Sequence, residues 1–128
     1  MIGTNVEFVA ISIGAVVGAN ARYLVGGWVA DRLGPTFPYG TLVINLTGSF
    51  LLGLILAVVS QRAATPIWLR TGLAVGLIGS YTTFSTFGVE TYTLLNTGSL
   101  GQAAINILAS VFGSLLAVYL GLQVGRLV

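Results

Sequence analysis

The sequence predicts an all-α membrane protein with four transmembrane helices per chain, the third of them broken. Three observations carry this. Of 128 residues, 55% are hydrophobic and only 6% are charged, against about 25% charged in a soluble domain. The charges fall at Glu7, Arg22, Asp31, Arg32, Arg62, Arg70, Glu90 and Arg126, and the apolar runs between them are on the scale of the roughly 20 residues a spanning helix needs. The uncharged run from Thr71 to Val89 contains Gly79-Ser80-Tyr81-Thr82-Thr83-Phe84-Ser85-Thr86-Phe87, a poor uninterrupted helix. Glycine lacks side-chain support there, and the hydroxyls offer the backbone an alternative to the helical ladder. At membrane depth a break survives only where protein or a water-filled path covers the freed backbone groups. It therefore marks a place where something polar crosses.

The first span covers roughly residues 8–30. Its Gly14 and Gly18 form a GxxxG that permits close helix approach. Arg22 lies well inside the run. The preceding Met1 to Glu7 lacks the positive n-region of a signal peptide, so the run is expected to be retained as a span. Prolines and a glycine between Asp31 and Pro38 make the first boundary. The second span, roughly 39–60, has no charge and carries Thr41, Asn45, Thr47 and Ser49 as polar interruptions. Gln61 to Pro66 forms the next loop, and Trp68 and Arg70 are placed as interfacial anchors. The third span, roughly 67–95, holds the break, and Asn96-Thr97-Gly98-Ser99 closes it as a turn. The fourth, roughly 100–125, shows Asn106, Ser110 and Ser114 at four-residue spacing, hence on one face. A stripe of small residues (Ala109, Gly113, Ala117, Gly121, Gly125) runs beside it. The expected organisation is a single four-span membrane domain over residues 1–128.

Composition excludes several chemistries. Without His or Cys there is no imidazole, thiolate or Cys-based metal site, and scattered arginines do not make a nucleic-acid surface. An enzyme is not expected. With four spans, Arg62, Arg70 and Arg126 fall on one side of the membrane and Arg22 and Arg32 toward the other. That weak bias admits two readings: insertion in both orientations with antiparallel, dual-topology pairing, or a single orientation with the N-terminus inside. Four short helices enclose little more than their own core, so a pathway calls for a second copy.

The polar residues within the spans carry the functional argument. Phe84 and Phe87 share a helical face. They either pack in core or lipid, or present ring edges, which are positive, to an anion. Thr83, Ser85 and Thr86 beside them favour the second role. Asn45 and Thr41 sit early in the second span. Asn45 serves either as interhelical glue or as an anion donor, and the residues alone admit both. Ser110 and Ser114, with Asn106, make either glue or a mildly polar track. Arg22 either snorkels to an interface or gives a vestibule positive potential. Glu90, after the break, sits at the far mouth or caps a helix. Carbonyls freed near Gly79 and Thr82 are candidate ligands for a hard cation, with two chains meeting on a two-fold axis to complete the set.

Three motifs together resemble the Fluc family of fluoride channels, also known as CrcB proteins. They are Gly18-Ala19-Asn20-Ala21-Arg22-Tyr23, Gly40-Thr41-Leu42-Val43-Ile44-Asn45-Leu46-Thr47-Gly48 and Thr82-Thr83-Phe84-Ser85-Thr86-Phe87. The resemblance covers essentially the whole chain. It implies a multi-pass protein of the cell membrane whose antiparallel homodimer passively exports fluoride, lowering its toxicity. Two pores would run along the subunit interface, lined by Asn45, Phe84, Phe87, Thr83, Thr41, Ser110 and Ser114, with Arg22 in a vestibule. It further implies a central structural Na+, not transported, on the backbone carbonyls of Gly79 and Thr82 of both subunits. Ser80-Tyr81 and Asn106 depart from the family's usual residues. The rival of another class is a small multidrug-type proton-coupled exporter, which depends on a carboxylate within its first span. Here Glu7 precedes that run and Arg22 occupies it. A purely structural membrane subunit would need neither a polar stripe nor a broken helix.

Overall fold

A computed structural model describes residues 3–128. Helix α1 spans Asn5–Leu33 and extends past the apolar run at both ends. Its start is set by a capping box: the Thr4 side chain accepts from the Glu7 amide while the Glu7 carboxylate accepts from the Thr4 amide. Glu7 is thereby a helix-capping residue. Gly34, at φ 82°, ends α1 in a conformation that favours glycine. Helix α2 spans Tyr39–Ser60. A turn leads through Pro66 into α3, Ile67–Thr71. The path continues through a π-helical stretch, Gly72–Ile78, and a last α turn, α4, Gly79–Tyr81. Thr82 and Thr83 are extended, at φ −80°, ψ 159° and φ −151°, ψ 115°. Helix α5, Phe84–Asn96, and helix α6, Leu100–Arg126, complete the chain. Among the described residues three helices, α1, α2 and α6, are long and apolar enough to cross a membrane.

Glycines set the packing. A Cβ on Gly14 would fall on the Gly72 carbonyl, and one on Gly18 would fall on the Leu77 carbonyl. One on Gly76 would come within 2.6 Å of the Ile11 carbonyl. The GxxxG of α1 therefore meets a second one, Gly72 and Gly76, inside the π stretch, and the two backbones touch. The order of these contacts makes α1 and the π stretch parallel. The second interface repeats the device. Gly113 faces Leu46, Gly53 faces the Val118 carbonyl, Gly121 faces the Phe50 carbonyl and Gly125 faces Ala57. Helices α2 and α6 are thus also parallel. Between the pairs, Gly40 lies against Gly26, so α2 folds back antiparallel along α1. After the extended residues the chain leaves α1, and α5 packs instead on α6.

Candidate functional site

The extended residues are held open by Asn45, which stands on α2 near its start. The Asn45 Nδ2 donates to the Thr83 carbonyl at 2.9 Å, and the Thr83 amide donates to Asn45 Oδ1 at 2.8 Å. One side chain thus satisfies both backbone groups of a buried residue, as a strand neighbour would. In a continuous helix the Thr83 amide would donate to the Gly79 carbonyl. The next diversion has the same form. The Thr86 amide would donate to the Thr82 carbonyl, but donates to Thr83 Oγ1 at 3.2 Å as the N-terminal cap of α5. Both diversions release a carbonyl from the helical ladder, those of Gly79 and Thr82.

Beside the break lies a groove of about 320 Å³. Asn45, Thr82, Thr83, Phe84, Phe87, Ser110 and Ser114 line it together with apolar side chains and Ser49, and no charged residue does. The Phe84 and Phe87 rings are 5.4 Å apart between centroids and tilted by 40°. Phe84 is 82% exposed on the isolated chain, so the groove is walled on one side only. Its polar atoms are neutral. Asn45 has spent one of its two Nδ2 hydrogens on Thr83. The Thr83 hydroxyl is committed, donating to Thr86 Oγ1 at 2.9 Å. The Ser110 hydroxyl donates to the side chain of Asn106 at 3.5 Å, a long bond. Uncharged polar groups beside two aromatic rings suit an anion that must shed water without being trapped.

The family model described as "CrcB-like protein, Camphor Resistance (CrcB)" matches residues 9–122. The chain belongs to the CrcB family. Curated relatives agree. A protein of Chloroflexus aurantiacus named "Fluoride-specific ion channel FluC" is 45% identical over 120 residues, covering 94% of this chain and 95% of that one. Proteins of the same name from Geobacter metallireducens and Agrobacterium fabrum are 46% and 41% identical, covering 92% and 94% of this chain and 95% and 97% of theirs. With its apolar helices, this CrcB protein is a multi-pass protein of the cell membrane.

The remaining residues singled out in the CrcB sequence sit elsewhere. Arg22 and Thr41 line a second cavity of about 440 Å³, with Thr86 and Glu90. Thr83 borders both spaces. The Thr41 hydroxyl donates to Glu90 Oε1 at 2.8 Å, so its proton is already committed. Glu90 Oε2 is buried with no hydrogen-bond partner among the described residues. Tyr81 packs beneath the break with its hydroxyl 2.9 Å from that of Thr47.

Sequence reasoning did not find the latch between Asn45 and Thr83 or the bond between Thr41 and Glu90. The partners are 38 and 49 residues apart, and no local pattern announces them. It also placed Asn106 on the polar stripe without a partner. Its Nδ2 donates to Thr91 Oγ1 at 3.0 Å, tying α6 to α5. The π stretch was missed as well, although Gly72 and Gly76 at GxxxG spacing were a visible signal.

Proposed function

We propose that this CrcB chain is a fluoride-selective passive channel, exporting cytoplasmic fluoride as an antiparallel, dual-topology homodimer. The observation that carries it is the groove beside the latched break: neutral donors and a tilted phenylalanine pair, with no charge. The names of the relatives support the ion. Fluoride holds its water tightly, so entry requires substitute donors. Conduction requires that those donors hold it weakly and at several sites. Asn45, Thr83, Phe84, Phe87, Ser110 and Ser114 would line the path, and Arg22 would draw anions into the mouth where Thr41 holds Glu90. The parallel pairing of α1 with the π stretch and of α2 with α6 fits four crossings in one membrane domain. In that arrangement α3 to α5 form the third crossing, broken at Thr82 and Thr83. A second copy would supply the missing wall of the groove, over the exposed Phe84 ring.

The residues present fit a central Na+. The ligands on offer to such a cation are neutral backbone oxygens. The Gly79 and Thr82 carbonyls are the two whose helical donors are diverted by Asn45 and Thr83. Four such carbonyls from two chains would form a hard-oxygen set. A bound Na+ would offset the partial negative charge of those oxygens and would join the subunits. Replacing all Na+ with a large organic cation should lower the thermal midpoint of the dimer by several degrees and slow fluoride release. An unchanged midpoint and rate in rigorously Na+-free buffer would remove the ion from the proposal.

Purified protein in liposomes tests the channel itself, with efflux followed by ion-selective electrodes. Fast fluoride release with chloride retained supports it. Transport that needs a proton gradient would favour an exporter, and release of neither ion a structural subunit. Phe84→Ile and Phe87→Ile should each slow fluoride release between about twofold and tenfold, the worth of an aromatic edge contact, with the dimer intact by size exclusion. Wild-type rates in both variants would remove the ring edges from the mechanism.

A further inference from the structure

We infer that Asn106 is a positioning residue for the anion path, acting through the hydroxyl of Ser110; the inference rests on the proposed channel function. Asn106 is 1% exposed and stands one helical turn before Ser110, behind the groove rather than in its lining. Its Nδ2 donates to Thr91 Oγ1 on α5 at 3.0 Å, which leaves Oδ1 to accept from Ser110 Oγ at 3.5 Å.

Several other helical hydroxyls in this chain donate to the backbone carbonyl four residues back. Ser12 does so to Phe8 at 2.8 Å, Thr71 to Ile67 at 2.8 Å and Thr93 to Val89 at 2.9 Å. The corresponding carbonyl for Ser110 is that of Asn106 itself. At Ser110, then, the side chain of Asn106 takes the proton that its backbone would otherwise take.

Bond length sets how available that proton is. An O–H···O bond is near its optimum at about 2.7–2.8 Å and feeble at about 3.5 Å. A proton bound tightly to a carbonyl, as at Ser12, is withheld from a passing anion. With its oxygen 3.5 Å from Asn106 Oδ1, the Ser110 hydroxyl is directed yet loosely held, and rotation about its Cβ–Oγ bond can turn the proton to the groove that Ser110 lines. Asn106 keeps Ser110 a usable donor, and Thr91 keeps Asn106 in place.

The test is fluoride efflux from liposomes for the wild type, Asn106→Ser, Asn106→Leu, Ser110→Ala and Asn106→Ser with Ser110→Ala. Serine at 106 retains a hydroxyl for Thr91 but is too short to reach Ser110. Leucine fills the space without polar atoms. Each single variant should slow release roughly fivefold, the rate equivalent of one net hydrogen bond. The double variant should be no slower than Ser110→Ala alone, because both act on one proton. A purely structural role would add the losses, to roughly twenty-fivefold. That additivity, or wild-type rates in both Asn106 variants, overturns the inference. Should neither Asn106 variant yield a dimer by size exclusion, Thr91→Val serves. It should slow release only when Ser110 is present, and a wild-type rate overturns the inference. Silence of every preparation, the wild type included, sinks the channel reading and this inference with it, and is told apart by that.

Discussion

Asn45→Leu should abolish fluoride flux and cost the folded chain about 2–6 kcal/mol. The Thr83 amide and carbonyl both bond to this side chain, at 2.8 and 2.9 Å, and Thr83 is only 7% exposed. Removing the partner leaves a buried donor and a buried acceptor, each costing about 1–3 kcal/mol. The chain has one escape. The Thr83 amide can return to the Gly79 carbonyl and close the break into a helix. That would rotate Phe84 and Phe87 away from Ser110 and re-engage one of the released carbonyls, so flux is lost either way. Asn45→Asp separates the two roles of the amide. A carboxylate still accepts from the Thr83 amide, but it faces the Thr83 carbonyl with no proton to give and repels an anion in the groove. It should keep more of the folded dimer than leucine does and remain silent in efflux. Thermal unfolding followed by size exclusion reads the first effect, and the fluoride electrode the second. Normal flux from Asn45→Leu would falsify the latch.

The second large effect is expected at Gly18. A Cβ there lands on the Leu77 carbonyl and 3.1 Å from the Tyr81 amide nitrogen. Both obstacles are backbone and cannot rotate aside. Helix α1 and the π stretch must separate, at about 1–3 kcal/mol or more. The displacement is passed to α4, the turn that leads into Thr82. Gly18→Ala should therefore lower the thermal midpoint strongly or leave no folded dimer to purify. Gly27→Ala is the matched control on the same helix. Nothing lies within 4 Å of its added Cβ, and its effect should stay within about half a kcal/mol. Equal midpoints for the two variants would show that the close contact at Gly18 carries no stability.

Much of the architecture was legible in the chain because a membrane simplifies the reading. Apolar runs longer than a bilayer is thick leave the backbone little choice but helix. The extended pair Thr82 and Thr83 has a local cause, since Gly79 and the hydroxyls after it are poor helix formers. Most members of the groove were legible too, because Asn45, Phe84, Phe87, Ser110 and Ser114 are polar or aromatic in runs that otherwise have little reason to carry them. Arg22 and Thr41 were legible as unusual, yet the folded chain puts them in a separate cavity beyond Thr83. The role of Asn45 was half legible. Its amide could be seen as glue or as an anion donor, and the structure uses it as a latch with one hydrogen to spare.

The sequence by itself determined that this chain is helical and membrane-bound, because hydropathy and local backbone preference act over a few turns. Only the tertiary structure decided which groups meet. Asn45 finds Thr83, Thr41 finds Glu90, and Asn106 stands between Thr91 and Ser110. The reason is that a hydrogen bond is settled within about 3 Å of space. Whether two side chains arrive there depends on how closely the glycine faces of α1, α2, the π stretch and α6 let their backbones approach.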